Sequence, residues 1–195
     1  MEPLACCVRN IRRAQLSPND SAVVVGMGSI GLMMVQLLKL IPARVFALDL
    51  KADRLELAKR LGADQVFLGN KPGFSEALMK ETEGRGADIV IFTAGGGRTF
   101  QEALHWVRDG GTLNLFASLS DEPVPVSLDV LYHREITLFS SYSPSPEDLA
   151  ASHRLLCDGK IKVGPLVTHH LNLAELQKGI DLMVSQQALK VVVNP

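Results

Sequence analysis

Three features of the sequence predict an α/β fold built on a doubly wound parallel sheet. Short β-branched runs alternate with longer amphipathic segments over residues 22–140. The first run leads directly into Gly26-Met27-Gly28-Ser29-Ile30-Gly31. An acidic residue, Asp49, closes the second run, about 20 residues beyond that loop. Parallel strands need crossover helices on both faces, and six strand segments in two halves fit this arrangement.

The elements follow in order. Residues 1–18 read as a helix with apolar and basic faces, closed by a Ser17-Pro18-Asn19-Asp20 turn. Ala22-Val23-Val24-Val25 is a buried first strand. Ile30 to Ile41 is apolar nearly all round and predicts a buried helix stopped by Pro42. Arg44 to Leu48 is the second strand. Asp53 to Leu61 is a helix with Gly62 as its stop. Gln65 to Leu68 is the third strand, Phe74 to Glu83 a helix, and Asp88 to Phe92 the fourth strand. Thr99 to Arg108 reads as a helix, with Phe100, Ala103, Leu104 and Val107 on one face and Gly110-Gly111 ending it. Thr112 to Ala117 and Glu135 to Ser140 are strands five and six. Ser143-Pro144-Ser145-Pro146 marks a boundary. Beyond it lie a helix near Glu147 to Cys157, a strand near Leu166 to His169, a helix near Leu173 to Ser185 and a final strand, Lys190 to Val193. That tail is too small for a core of its own and is expected to pack on the main domain, another chain or a part absent from this sequence. The chain divides into residues 1–18, 19–145 and 146–195.

Composition narrows the function classes. Apolar residues are 47% of the 195 and charged residues 21%, as in globular proteins. The net charge of −1, with Lys and Arg spread along the chain, gives no electrostatic footprint for nucleic acid. No apolar run reaches membrane-spanning length. The start, Met1-Glu2-Pro3-Leu4, is acidic rather than basic, unlike a signal peptide. Cys6, Cys7 and Cys157 are an odd number, and two of them are adjacent, which argues against a disulfide framework. A cytoplasmic protein is expected.

The glycine loop carries the chemistry. Gly26 permits the tight turn out of the strand, Gly28 lets a pyrophosphate approach the backbone, and Gly31 lets the helix pack on the sheet. Free N–H groups at the helix start, around Ser29 and Ile30, then face the phosphates with the helix dipole behind them. Met27 lies within this loop. Asp49 can accept hydrogen bonds from both ribose hydroxyls and would repel a 2′-phosphate, so NAD is expected over NADP. Arg54 can also reach the adenosine ribose, and with Lys51 it leaves room for NADP. A methyltransferase would carry an acid in the first strand, where this chain has Val23-Val24-Val25. A flavoprotein would need a larger chain.

Strand ends line the crevice of a doubly wound sheet, which adds Thr93-Ala94, Phe116-Ala117-Ser118 and Ser140-Ser141-Tyr142 as candidates. His169 and His170 alternate across a strand and are not expected to share a metal ion. His105 beside Trp106 reads as structural, His133 as a loop residue, and Cys6 and Cys7 as helix packing.

Several of these segments together resemble the medium-chain, zinc-dependent alcohol dehydrogenases, in the sorbitol, polyol and threonine dehydrogenase branch. They are Glu2-Pro3-Leu4-Ala5-Cys6-Cys7, Val25 to Leu32, Leu61-Gly62-Ala63-Asp64 and Gly86-Ala87-Asp88-Ile89-Val90, in the family's order and spacing. The resemblance implies that residues 1–18 are a junction from a catalytic domain, that 19–145 are the NAD-binding Rossmann domain, and that the tail is the catalytic domain's return segment. It implies that the zinc-binding Cys and His-Glu pair lie upstream, so that the chain is a fragment or a naturally truncated relative. Zinc in the intact enzyme would lower the pKa of a bound alcohol, whose carbon then passes a hydride to NAD. By resemblance, Glu2 reaches that zinc directly or through water, and Phe116 to Ser118 and Ser140 to Tyr142 approach the nicotinamide. Sorbitol dehydrogenases have an Arg-Tyr pair at the last position; Ser141-Tyr142 stands here, which argues against sorbitol itself. The strand near Glu135 to Ser140 is expected to pair with its copy in a homodimer or homotetramer. The function implied is the cofactor-binding portion of a dehydrogenase acting on a small alcohol. The alternative is a non-catalytic NAD-binding module or sensor.

Overall fold

The computed structural model describes residues 1–69, 71–118 and 123–195. It contains a six-stranded, all-parallel sheet in the order β3-β2-β1-β4-β5-β6. The strands are β1 (Ser21–Val25), β2 (Arg44–Asp49), β3 (Gln65–Leu68), β4 (Ala87–Phe92), β5 (Val107–Leu115) and β6 (Thr137–Ser140). Helices α1 (Glu2–Ala14), α2 (Ser29–Leu40), α3 (Ala52–Arg60), α4 (Phe74–Glu81), α5 (Gly97–Ala103) and α6 (Leu128–His133) precede or connect them. After β6 come α7 (Pro146–Cys157), α8 (Leu176–Val184) and a separate parallel pair, β7 (His169–Asn172) with β8 (Val191–Asn194).

Side-chain alternation builds two cores, one on each face of the sheet. Ala22 and Val24 of β1, Val45 and Ala47 of β2, and Ile89 and Ile91 of β4 face one core with α1, α2 and α3. Val23, Val25, Phe46, Leu48, Val90 and Phe92 face the other, with Phe74 and Leu78 of α4 and Phe100 and Ala103 of α5. Strands buried on both faces read as continuous apolar runs, which is why β1 carries no alternation in its sequence. The order of the strands reverses at β1: its neighbours are β2 and β4, so the loops leaving β1 and β4 lie side by side. This is the switch point where doubly wound sheets bind ligands.

Four expectations are corrected. The helix predicted to reach Arg108 ends at Ala103, and Val107 to Gly111 belong to β5. Val107 pairs with Ala87, and a register shift follows before Ile89 meets Thr112. Arg134 secures that irregular start: Nη2 donates to the Val107 carbonyl at 2.7 Å, Nη1 donates to the Leu104 carbonyl, and Nε pairs with Asp109 at 2.6 Å. The apolar positions were read correctly, but Val107 is buried in a strand rather than on a helix face. In the tail, Gly164–Leu166 forms a 3₁₀ turn and the strand starts at His169. Pro165 has no N–H and a fixed φ, so it suits the turn rather than a ladder. The final strand runs from Val191 to Asn194. His133 ends the short helix α6 rather than lying in a loop.

The two ends of the chain are tied together. Asp148 in α7 is fully buried and closes a capping box with Ser145, whose backbone N–H and hydroxyl both donate to Oδ2 at 2.8 Å. Arg12 of α1 lies 3.1 Å from Oδ1, and Arg9 lies 3.8 Å from Oδ2. Asn10, also fully buried, donates to Asn114 of β5 at 2.8 Å and fixes α1 against the sheet. Burial works against the Asp148 charge, but the Ser145 donors and the two guanidiniums outweigh it and hold the carboxyl below the ordinary aspartate value. Its stabilisation is therefore complete above the unfolded value near ~3.9 and is lost as pH falls through the lowered folded value. Asp148→Asn is expected to destabilise the chain by about 1–3 kcal/mol at pH 7, with a smaller difference from the parent at pH 3. Thermal melts of both proteins across that range check it; a pH-independent difference would show that the charge is not what stabilises.

Candidate functional site

The glycine loop bridges the end of β1 and the start of α2, and its three glycines have different reasons to be glycine. Gly26 adopts φ +92°, in the left-handed region, and a Cβ there would meet Ala94 Cβ at 2.6 Å. At Gly31 a Cβ would lie 1.8 Å from the Gly26 carbonyl oxygen. These two are demanded by the fold itself. Gly28 is not: its φ is −71°, and a Cβ there would meet no protein atom within 4 Å. The cradle above Gly28 is open to something that is not protein.

Helix α2 points its start at that cradle. Leu32 makes the first intrahelical hydrogen bond, to Gly28. By helix geometry the N–H groups of Ser29, Ile30 and Gly31 have no acceptor within the helix. No acidic residue stands in the first turn to neutralise the positive end of the dipole. The site therefore favours an anion that approaches along the backbone.

Asp49 stands at the end of β2, half-buried. Its Oδ2 accepts the Met27 N–H at 2.5 Å, and its Oδ1 accepts the Lys51 N–H at 2.8 Å. Gly26 N–H donates to the Leu48 carbonyl at 2.7 Å. Loop and strand end are thus one unit. A carboxylate offers about four acceptor positions, so two hydrogen bonds leave capacity for a diol.

A cleft of about 620 Å³ opens beside this unit. Gly26, Asp49, Arg54 and Ala94 line it, as the sequence indicated. Lys51, Gly95, Gly96, Phe74, Trp106 and Gln186 also line it and were not singled out as site residues. The Gly95-Gly96 pair had a visible signal, since it follows a strand that faces the switch point. Gln186 had none, because it arrives from the far end of the chain. Thr93 serves the loop rather than the cleft: its hydroxyl donates to the carbonyls of Val25 at 3.0 Å and Gly26 at 2.7 Å.

The remaining candidates fall elsewhere. Met27, Gly28, Ser29, Ile30 and Gly31 form the loop next to the cleft but do not line it, and neither do Phe116, Ala117, Ser118, Ser140, Ser141 and Tyr142, which sit at the ends of β5 and β6. Ser141 is buried and Tyr142 is 94% exposed. Glu2 starts α1 and accepts a hydrogen bond from the Cys6 thiol at 3.1 Å. Burial, with Glu2 beside it, pushes Cys6 up to about 11. Cys7 is fully buried in the core with α2. Among the described residues, no group of three or more His, Cys, Asp or Glu side chains is placed to hold a metal ion. The described residues therefore do not make a zinc site; Glu2 is a single carboxylate. No helix among the described residues is long and apolar enough to cross a membrane.

Comparison with known proteins agrees with this geometry. Residues 29–157 match the family model described as zinc-binding dehydrogenase. The chain is 29% identical to D-arabitol-phosphate dehydrogenase of Enterococcus avium, covering 99% of this chain and 56% of that protein. It is 32% identical to L-threonine 3-dehydrogenase of Bacillus velezensis, covering all of this chain and 56% of that one. An alcohol dehydrogenase of E. coli CFT073 solved with NADH superposes with a TM-score of 0.89 at 26% identity, covering all of this chain and 58% of that one. A protein of Sinorhizobium meliloti 1021 solved with NADP superposes at 0.91, also at 26% identity and with the same coverage. The chain spans about half the length of the curated relatives it matches.

The unequal roles of the glycines give a direct test. Gly31→Ala is expected to cost at least the ~1–3 kcal/mol of an overpacked site, which lowers Tm by about 2–4 °C per kcal/mol. Gly28→Ala should leave Tm within 1–2 °C, roughly the ±0.5 kcal/mol of an unobstructed surface change. Equal losses in calorimetry would contradict the assignment.

Proposed function

The chain belongs to the zinc-binding dehydrogenase family, and on that premise we propose that it holds NAD for a dehydrogenase acting on a polyol, amino alcohol or other secondary alcohol. The observation that carries the reading is the empty space at Gly28, a glycine the protein's own packing does not require. A pyrophosphate passing there meets the Ser29, Ile30 and Gly31 N–H groups. Asp49 takes the adenosine ribose hydroxyls, with Arg54 at the rim, and Ala94 lies on the floor. Phe116, Ala117, Ser118, Ser140, Ser141 and Tyr142, at the ends of β5 and β6, lie toward the nicotinamide. When bound, the cofactor accepts a hydride from the alcohol carbon; this chain's residues fix its position and orientation.

The division into residues 1–18, 19–145 and 146–195 goes with this reading: a junction, the cofactor unit and a return segment. The family's zinc chemistry is left to the part of the relatives' length that this chain does not match. Glu2 is the one residue we place toward that metal. The three cysteines are free, which suits a reducing compartment such as the cytoplasm.

β6 is an edge strand of the sheet, and Thr137, Leu138 and Ser140 are exposed along it. An uncovered, largely uncharged edge is a template for pairing. We propose that two copies join through β6. Leu138→Lys is expected to shift the mass measured by light scattering from dimer or tetramer to monomer; a parent chain that is strictly monomeric at high concentration overturns the pairing.

The cofactor reading is tested by titrating NADH and NADPH while following nicotinamide fluorescence. Gly28→Ala should abolish saturable binding in a chain that still melts normally. Asp49→Ala should weaken NADH by about tenfold to a hundredfold, the worth of one charge-assisted hydrogen bond, with a smaller effect on NADPH. If the NADH preference survives that change, Asp49 is not its source.

A further inference from the structure

Besides Lys71, the cleft wall carries two cations next to Asp49, Lys51 and Arg54, on the side where the proposed function puts the adenosine ribose. Neither is free. Lys51 Nζ donates to the backbone carbonyl of Gln186 at 2.6 Å, and Arg54 Nη2 donates to the same oxygen at 3.2 Å. The Lys51 backbone is also held, through its N–H to Asp49 Oδ1. One carbonyl from the distant tail thus engages both positive charges at the ribose end of the cleft.

That carbonyl is fixed in place. Gln186 lies just past α8 and adopts φ +56°, a left-handed conformation that costs a non-glycine residue. The surrounding turn enforces it: Gln186 N–H donates to Met183 at 3.1 Å, while the Gln187 and Ala188 N–H groups both donate to Leu182, at 2.9 and 3.1 Å. Ala188 is buried and anchors the turn. Gln186 is an exposed residue, and both cations are held by its backbone oxygen.

We propose that Gln186 is a specificity-determining residue: its carbonyl withholds Lys51 and Arg54 from a 2′-phosphate, so that discrimination against NADP is set jointly by Asp49 and by the end of α8. This deepens the NAD-binding reading and rests on it. Repulsion by Asp49 alone leaves neighbouring cations to offset it; the Gln186 carbonyl does not neutralise Lys51 or Arg54, but by accepting a hydrogen bond from each it holds both heads away from the ribose and weakens that offset. The discriminating element then lies more than a hundred residues from the ribose-binding strand, in the return segment.

The test compares dissociation constants for NADH and NADPH across three variants. Gln186→Gly accommodates positive φ and keeps the carbonyl, and should leave the NADPH-to-NADH ratio unchanged. Gln186→Pro cannot adopt φ +56° and loses the N–H to Met183, so the carbonyl moves; NADPH affinity should rise about tenfold relative to NADH, one charge-assisted hydrogen bond's worth. Lys51→Met in the parent chain should change the ratio by less than about threefold, because the ammonium is already engaged, and in the Gln186→Pro background it should erase the gain. A loss of NADPH affinity of about tenfold on Lys51→Met in the parent overturns the proposal, and it does so even if the proline variant fails to fold. A folded proline variant with the parent's ratio overturns it too. If neither nucleotide binds the parent chain, the NAD reading itself fails; if NADH binds and the ratios do not move as stated, only the role of Gln186 does.

Discussion

A helix that starts immediately behind a strand must cross the turn that joins them, and here Gly31 crosses the Gly26 carbonyl with no room for one more carbon. Everything at the cleft depends on that approach. It brings the start of α2 over the end of β1, which presents three unpaired N–H groups to one point. The turn at Gly26 is left-handed and is held by Asp49 receiving the Met27 N–H and by the Thr93 hydroxyl on the Gly26 carbonyl. Strands β1, β2 and β4 therefore meet in one hydrogen-bonded junction. Asp49 and Thr93, at the ends of β2 and β4, thus hold the loop that leaves β1.

Much of this was legible in the chain itself, because the signals are local. The β-branched runs found the strands of the main sheet, and the glycine spacing and the acid after the second run found the loop and its partner carboxylate. What escaped depended on contacts between distant segments. The start of β5 was read as helix because Phe100, Ala103, Leu104 and Val107 fit helical spacing; its true course is set by Arg134 gripping the Leu104 and Val107 carbonyls, an arrangement with no local signature. The strand in the tail was placed early because Leu166 is apolar and buried, but Pro165 makes that segment a turn. Thr93 follows a strand that faces the switch point, yet its hydroxyl supports the loop rather than lining the cleft. Gln186 carries no signal at all, since its contribution is a backbone oxygen.

The tail is joined to the rest in two chemically different ways. On one side α7 meets α1 through a buried carboxylate and two guanidiniums, and Ile161 and Leu166 enter the core beside α2. On the other, the end of α8 touches the cleft wall through one carbonyl. Ile180, Met183 and Val184 of α8 are exposed apolar side chains. The tail thus meets the rest of the chain through a buried ion cluster on one flank and through a backbone oxygen held by its own turn on the other.

The strand order has a consequence for synthesis. β1 is the centre of the sheet, yet its two neighbours follow it in the chain, and the second, β4, ends only at Phe92. Emerging from the ribosome, Val23-Val24-Val25 stays unpaired on one side until roughly 70 more residues have appeared, several seconds at ~5–20 residues per second. α1 waits longer still, since its partner in α7 begins at Pro146. The apolar faces of α1 and β1 thus leave the ribosome well before the segments that enclose them, and stay open for that interval.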